Sequence, residues 1–241
     1  MSRSATRYGR AMGLVAAGAL VLSTVPAGGA LAAPAAPSSC TITGIAPAKV
    51  PVGSANVTRP FTVKTTGCTV TTWSIDFGGG VVLNQDTDAL EIFAHKLSND
   101  VAGVPLDAKA KVTSDVAGET AATKSVTWSI QRRATWASTF NATPEPVKKG
   151  KRITVKGTLT RISWTKAKKL PFVSYAGRTV TVQFRAKSTD PWTNIKTLKT
   201  NKAGKISTTV KAVKTGTWRV HFAGNAATSV ADSTTDAVVV N

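Results

Sequence analysis

The sequence is short of the groups on which hydrolytic and metal chemistry depend. Its 241 residues hold 2 cysteines, 2 histidines, 2 methionines and 2 tyrosines, and 12 acidic side chains stand against 31 basic ones. Cys40, Cys68, His95 and His221 have no spacing that suits a Cys/His zinc site, which argues against a structural zinc. A Ser-His-Asp triad needs a histidine held between a nucleophile and an acid, and neither histidine lies near a nucleophile-elbow pattern. Paired-carboxylate chemistry needs two acids in one cleft, whereas the chain from Ala134 onward offers only Glu145, Asp190, Asp232 and Asp236. Asp86, Asp88 and Glu91 cluster in sequence, but the glycine and the bidentate glutamate of a calcium loop are out of register, so they read as a solvated loop. The expectation is a non-catalytic protein with no catalytic residues, cofactor or metal.

Long apolar runs are scarce as well, and the one that exists is N-terminal. Arg3, Arg7 and Arg10 precede an apolar stretch from Ala11 to Val25, and Ala30-Leu31-Ala32 follows as a small-residue cleavage signal. That order is a signal peptide over residues 1–32, too short in its apolar part to span a bilayer as a helix. The mature form is expected to begin near Ala33, outside the cell, with no membrane span. In an oxidising compartment an isolated cysteine pair is structural, so Cys40 and Cys68 are expected to form a disulfide.

What the chain has in abundance is valine, threonine and lysine. β-Branched residues in short alternating runs, separated by Gly, Pro, Asn and Asp, are the pattern of an all-β protein built from sandwiches. Charge then divides the mature chain. From Ala33 to Arg133 there are nine Lys and Arg against eight Asp and Glu; from Ala134 to Asn241 there are nineteen against four. The shift falls between a last strand at Ser125–Gln131 and a new first strand at Trp136–Ala142. It predicts two domains, 33–133 with the disulfide and 134–241 basic, the second expected to fold alone.

In the first domain the strands are expected at Ala55–Lys64, Thr69–Phe77, Val81–Asn84, Leu90–Ala94, Ala108–Ser114 and Lys124–Ile130, with turns at Thr66-Gly67, Gly78–Gly80 and Gly118. Pro60 demotes its strand to an edge or a bulge. Trp73, Ile75 and Phe77 share one parity and should face the core, as should Val126, Trp128 and Ile130. Gly78–Gly80 is a hairpin turn, since no helix follows to make a phosphate loop. In the second domain Ile153, Val155 and Leu159, then Val180, Val182 and Phe184, then Ile206, Thr208 and Val210, then Trp218, Val220 and Phe222 mark four core faces. The opposite parity carries Arg152, Lys156, Arg185, Lys187, Lys205, Lys211, Arg219 and His221, so much of the positive charge stands on outward faces.

The stretch FNATPEPVKKGKRITVKG (Phe140–Gly157), then Tyr175-Ala176-Gly177-Arg178 followed by VTVQF, then Lys202–Val210 and the ending TWRVHFAG resemble an immunoglobulin-like module of small secreted actinobacterial proteins. The likeness covers about residues 134–241. It implies an immunoglobulin-like sandwich, an extracellular setting and no catalytic residues; together with the leader and the charge division, the expectation is two tandem immunoglobulin-like β-sandwich domains after a cleaved signal peptide.

The best binding candidate is the long connection from Arg161 to Gly177, because connections of this length tend to be functional. It sets Trp164, Leu170, Phe172 and Tyr175 beside Lys166, Lys168 and Lys169, and aromatic rings next to ammonium groups suit a polyanion that also presents sugar rings. Folding of Trp164 and Phe172 back onto the sandwich core is the competing reading. Arg185 and Arg219 on outward strand faces extend the candidate set. The expected partner is an anionic wall polymer or another extracellular polyanion; a protein ligand bound by sandwich loops, as an effector or inhibitor would bind, is the alternative. Charge permits nucleic acid, but no motif specifies it.

Overall fold

The computed structural model describes residues 39–86, 89–114, 121–137, 139–165 and 169–241. The signal peptide expected over residues 1–32, Asp88, Gly118, Lys166 and Lys168 lie outside the described residues. Pro37–Asn241 forms one compact unit. Apart from two single-turn 3-10 segments it is all β among the described residues.

The first core is built from β1 (Thr41–Ala46), β2 (Lys49–Val52), β3 (Val57–Pro60), β4 (Thr62–Thr66), β5 (Thr72–Asp76), β6 (Val82–Asn84), β7 (Ala89–Ile92), β8 (Leu106–Thr113) and β9 (Ala122–Arg132). A five-stranded sheet runs β2-β9-β8-β5-β6, and the pairs β1-β4 and β3-β7 complete the layer arrangement. Period-2 alternation sends Ile75, Ala110, Val126, Trp128 and Ile130 inward, with Trp73 and Phe77 packed beside them. Phe61, Phe77 and Trp128 stack edge to face at 5.1 to 5.5 Å between centroids, the geometry the ring quadrupole favours. Gly78, Gly79 and Gly80 all have φ between 61° and 82°, as a glycine-only turn between β5 and β6 requires.

Two expectations need correction. The strand expected at Ala55–Lys64 is two strands in two different sheets, because Pro60 has no N–H to continue a ladder and Phe61 turns inward at 0% exposure. β1 and β2 had no counterpart in the expected set. Gly44 and Pro47 interrupt their alternation, and β2 is held by parallel pairing to β9, a long-range contact without local signature. The disulfide Cys40–Cys68 is formed and closes the start of β1 onto the segment after β4.

The second core is built from β10 (Ala134–Trp136), β11 (Asn141–Thr143), β12 (Arg152–Ile162), β13 (Phe172–Ser174), β14 (Thr179–Arg185), β15 (Thr193–Lys199), β16 (Lys205–Lys211), β17 (Gly216–Phe222), β18 (Ala231–Asp232) and β19 (Asp236–Val238). In one sheet β12 lies between β10 and β11 on one side and β13 and β16 on the other; in the second, β15-β14-β17 is flanked by β18 and β19. This order, with antiparallel sheets facing across Ile153, Val155, Val180, Val182, Trp218 and Val220, is an immunoglobulin-like sandwich. The first strand expected at Trp136–Ala142 is broken into β10 and β11, because Phe140 leaves the strand path and is 2% exposed, its N–H donating to Thr234 Oγ1 at 2.9 Å.

The two cores meet where the charge shift falls, at Arg132 and Arg133, but they are not divided cleanly there. Ile162, Trp164 and Leu170, from the second half of the chain, are buried in the first core. Arg132 is itself buried and donates through Nε to Ile162 O at 2.7 Å, while Gln131 Nε2 donates to Asn225 O at 2.7 Å. The junction is thus gripped from both sides, by the segment after β12 and by the loop before β18.

Candidate functional site

The connection after β12 is where the expected aromatic and basic residues separate. Trp164 is 2% exposed, with its backbone N–H donating to Asn99 Oδ1 at 2.9 Å and its indole N–H to Gly53 O at 3.3 Å. It therefore folds back to cap a core, as the competing reading held, but the core is that of the first half. Leu170 follows it inward. Tyr175 is buried too, its hydroxyl placed 3.1 Å from Thr228 Oγ1 and accepting from Asn225 Nδ2 at 2.9 Å. Trp164 and Tyr175 are thus unavailable as stacking platforms for a ligand. Lys169 and Phe172 are exposed.

Tyr175 serves the charge of the domain from inside. The guanidinium of Arg161 lies 4.3 Å from its ring centroid and that of Arg178 at 4.9 Å. Burial alone would raise the pKa of this phenol, yet the bonds to Thr228 and Asn225 and the two arginines outweigh it and hold the group below the usual tyrosine range.

Arg185 and Arg219 stand on the outward face of the β15-β14-β17 sheet, as their parity requires. Both lie on the ring of Trp192, at 4.4 Å and 4.2 Å. Arg219 also donates from Nε to Gln183 Oε1 at 2.9 Å and pairs with Asp232 at 3.0 Å, and Gln183 Nε2 donates to Asn194 Oδ1. His221 Nδ1 lies 2.7 Å from the other oxygen of Asp232. Thr181, directly opposite His221 in the β14-β17 register, has its hydroxyl 3.5 Å from Thr197 Oγ1. The face is a connected array of guanidinium, amide, hydroxyl and imidazole groups on rigid strands.

At the end of this face a cleft of about 370 Å³ is lined by Arg178, Thr179, Thr181, Lys199 and His221, together with the turn at Gly224. Gly224 has φ +76°, and a Cβ there would meet Val230 N at 2.8 Å, so the turn tolerates only glycine. Sequence reading missed Trp192, Gln183, Asp232 and Arg178. Outward parity of Arg185 and Arg219 on strands that proved adjacent was a legible signal; Trp192 enters from a loop after Pro191, and Asp232 is brought to His221 only by the β17-β18 pairing.

Among the described residues no group of three or more His, Cys, Asp or Glu could hold a metal ion. Asp86 and Glu91 are described, Asp88 is not. No helix among the described residues is long and apolar enough to cross a membrane.

Fold and face together define an immunoglobulin-like β protein carrying a basic outward sheet. No family model matches the chain, and no curated protein matches it. Solved structures similar to it include superoxide reductase (neelaredoxin) from Ignicoccus hospitalis, at 13% identity and TM-score 0.32 over 46% of this chain and 82% of that one. A domain of intimin is similar at 17% identity and TM-score 0.30, covering 83% and 98% of the two chains. An ice-binding, Ca2+-stabilized adhesin of an Antarctic bacterium is similar at 14% identity and TM-score 0.29, covering 85% and 49%. Likenesses this low carry no functional inference, so the site has to be read from its own groups.

Proposed function

We propose that the protein is secreted and acts outside the cell as a non-catalytic binding protein, and that its basic second half associates electrostatically with an anionic wall polymer or a comparable extracellular polyanion. One observation carries the reading. Of the nineteen Lys and Arg in residues 134–241, Arg219 alone is paired with a carboxylate among the described residues. Three of the four acids that could neutralise the rest are otherwise engaged: Asp232 by Arg219 and His221, Asp190 by the Lys187 N–H, and Asp236 by the Ala142 N–H. Instead of counter-ions, Arg161, Arg178 and Arg185 have the rings of Tyr175 and Trp192, which partly offset a cation through the ring quadrupole while leaving its net charge in place. The lysines of the outward faces, including Lys156, Lys205 and Lys211, are exposed. A polyanion supplies what these cations lack and releases its own counterions on binding. The disulfide is in keeping with export to an oxidising compartment.

The test is retention of the mature chain on isolated anionic wall polymer as salt rises. Affinity should fall log-linearly, by roughly tenfold or more between 50 and 200 mM salt if three or more phosphate-like charges are neutralised. Reversal of Lys156, Lys205 and Lys211 to Glu should weaken binding strongly, and reversal of Lys64, Lys109 and Lys111 in the balanced half should weaken it little. Salt-insensitive binding, or equal losses from both triple reversals, overturns the reading.

A further inference from the structure

The cleft beside β14 has a more defined chemistry than the open sheet around it. Resting on the polyanion reading, we propose that it is a subsite for one phosphate group. Thr179 and Thr181 are two residues apart on β14 and so project from the same face, about 7 Å apart. Lys199 is the direct cross-strand partner of Thr179 on one side, and His221 that of Thr181 on the other. Direct antiparallel partners share a face, so ammonium, two hydroxyls and imidazole border one patch of sheet, which the guanidinium of Arg178 closes from the preceding turn.

Two of these groups are held in place by their neighbours. Arg178 lies against the Tyr175 ring and donates from Nε to Ala176 O at 3.0 Å, which fixes the plane of the guanidinium and keeps its terminal nitrogens free of that bond. The pairing of His221 Nδ1 with Asp232 leaves Nε2 as the ring nitrogen that can serve the cleft. No carboxylate lines the cleft, and among the described residues none lies within ion-pair distance of Arg178 or Lys199. A tetrahedral oxyanion can accept from a guanidinium, an ammonium and two hydroxyls at once with the imidazole beside it, whereas a planar carboxylate has two oxygens for the same donors. The volume of about 370 Å³ admits a phosphate together with the first atoms of the chain attached to it.

The experiment follows the two histidine side chains by NMR in the mature chain, labelled at the imidazole rings, at fixed pH and matched ionic strength. The probes are inorganic phosphate, glycerophosphoglycerol as a phosphodiester, galacturonate as a carboxylate, and chloride. His221 should shift saturably with phosphate and with the diester while His95, in the other half, stays still; galacturonate and chloride should not saturate. Lys199→Gln, a change at an exposed position, should weaken phosphate at least tenfold, and Lys109→Gln, at an exposed position of β8 in the other half, should leave it unchanged. Saturation by phosphate but not by the diester supports the subsite and makes free phosphate its source. Equal shifts at both histidines, equal response to galacturonate, or indifference to Lys199→Gln overturns it. Salt-dependent polymer binding that persists when phosphate fails to saturate would overturn the subsite and leave the broader reading standing; saturable phosphate without polymer binding would do the reverse.

Discussion

The two halves of the chain solve stability in different ways. The first has nearly balanced charge, a disulfide and an edge-to-face cluster of Phe61, Phe77 and Trp128. The second has no cysteine and a large positive excess, and it rests on a sandwich core whose largest member is Trp218, with arginines laid on aromatic rings. Self-repulsion destabilises a compact basic domain, so an excess of this size is retained at a cost. The comparison teaches that ion pairing is not what holds the second half together, and that its cations are left in a state to meet something else.

The sharpest way to break the comparison is at the residue that belongs to both halves. Trp164 lies in the second half by sequence and in the first core by packing, with its indole N–H on Gly53 O. Trp164→Ala should cost about 3 to 5 kcal/mol, from lost burial and the cavity left behind. Urea unfolding followed by circular dichroism measures it. If the halves act as one body, the whole transition shifts; a shift confined to a separate early phase would show that each half unfolds on its own. The same contact bears on the expected division at 33–133 and 134–241, since an isolated second half would carry Ile162, Trp164 and Leu170 with nothing to cover them.

The disulfide offers the next effect in size. Cys40 and Cys68 are 28 residues apart and lie wholly in the first half. Replacing both by Ser should cost about 3 kcal/mol in the chain-entropy view, through a less constrained unfolded chain. The loss should appear as a lower urea midpoint, with outward charge and polymer retention in the second half unchanged once the protein is folded. Loss of retention under folding conditions would mean that the halves are coupled in binding as well as in packing.

Much of this architecture was legible because a strand's side-chain period is strict. The inward sets around Ile75, Val126, Val155, Val182 and Val220, and the outward placement of Arg185 and Arg219, follow from alternation alone. Distant partners leave no mark on local pattern, and the misses share that cause. β2 is held by parallel pairing to β9, Asp232 meets His221 through an edge strand, and Trp164 crosses to the other core. The burial of Trp164 in the candidate loop was illegible for a related reason. A tryptophan beside lysines looks the same in sequence whether it caps a core or waits for a ligand, and only the position of Gly53 and Asn99 decides between them.

The smallest effect tests whether the charge excess carries the stability cost assigned to it. Arg152 and Lys211 are direct partners in the β12-β16 register and both are exposed, so two like charges face each other across one pair of strands. Cross-strand like charges are destabilising, and opposite charges at such positions contribute a few tenths of a kcal/mol. Lys211→Glu should therefore stabilise the protein by about 0.5 kcal/mol at low salt, a rise of roughly 1 to 2 °C in Tm for a unit of this size. Arg152 already donates to Thr209 Oγ1 at 3.2 Å, which holds its guanidinium near the new carboxylate. In 1 M salt, where screening acts within about 3 Å, the gain should vanish. The same substitution should weaken retention on an anionic polymer, so stability and binding would move in opposite directions. A mutant that is less stable at low salt, or a gain that survives high salt, would show that repulsion between these strands is not what the fold tolerates, and the unpaired cations would need another explanation than a partner outside the chain.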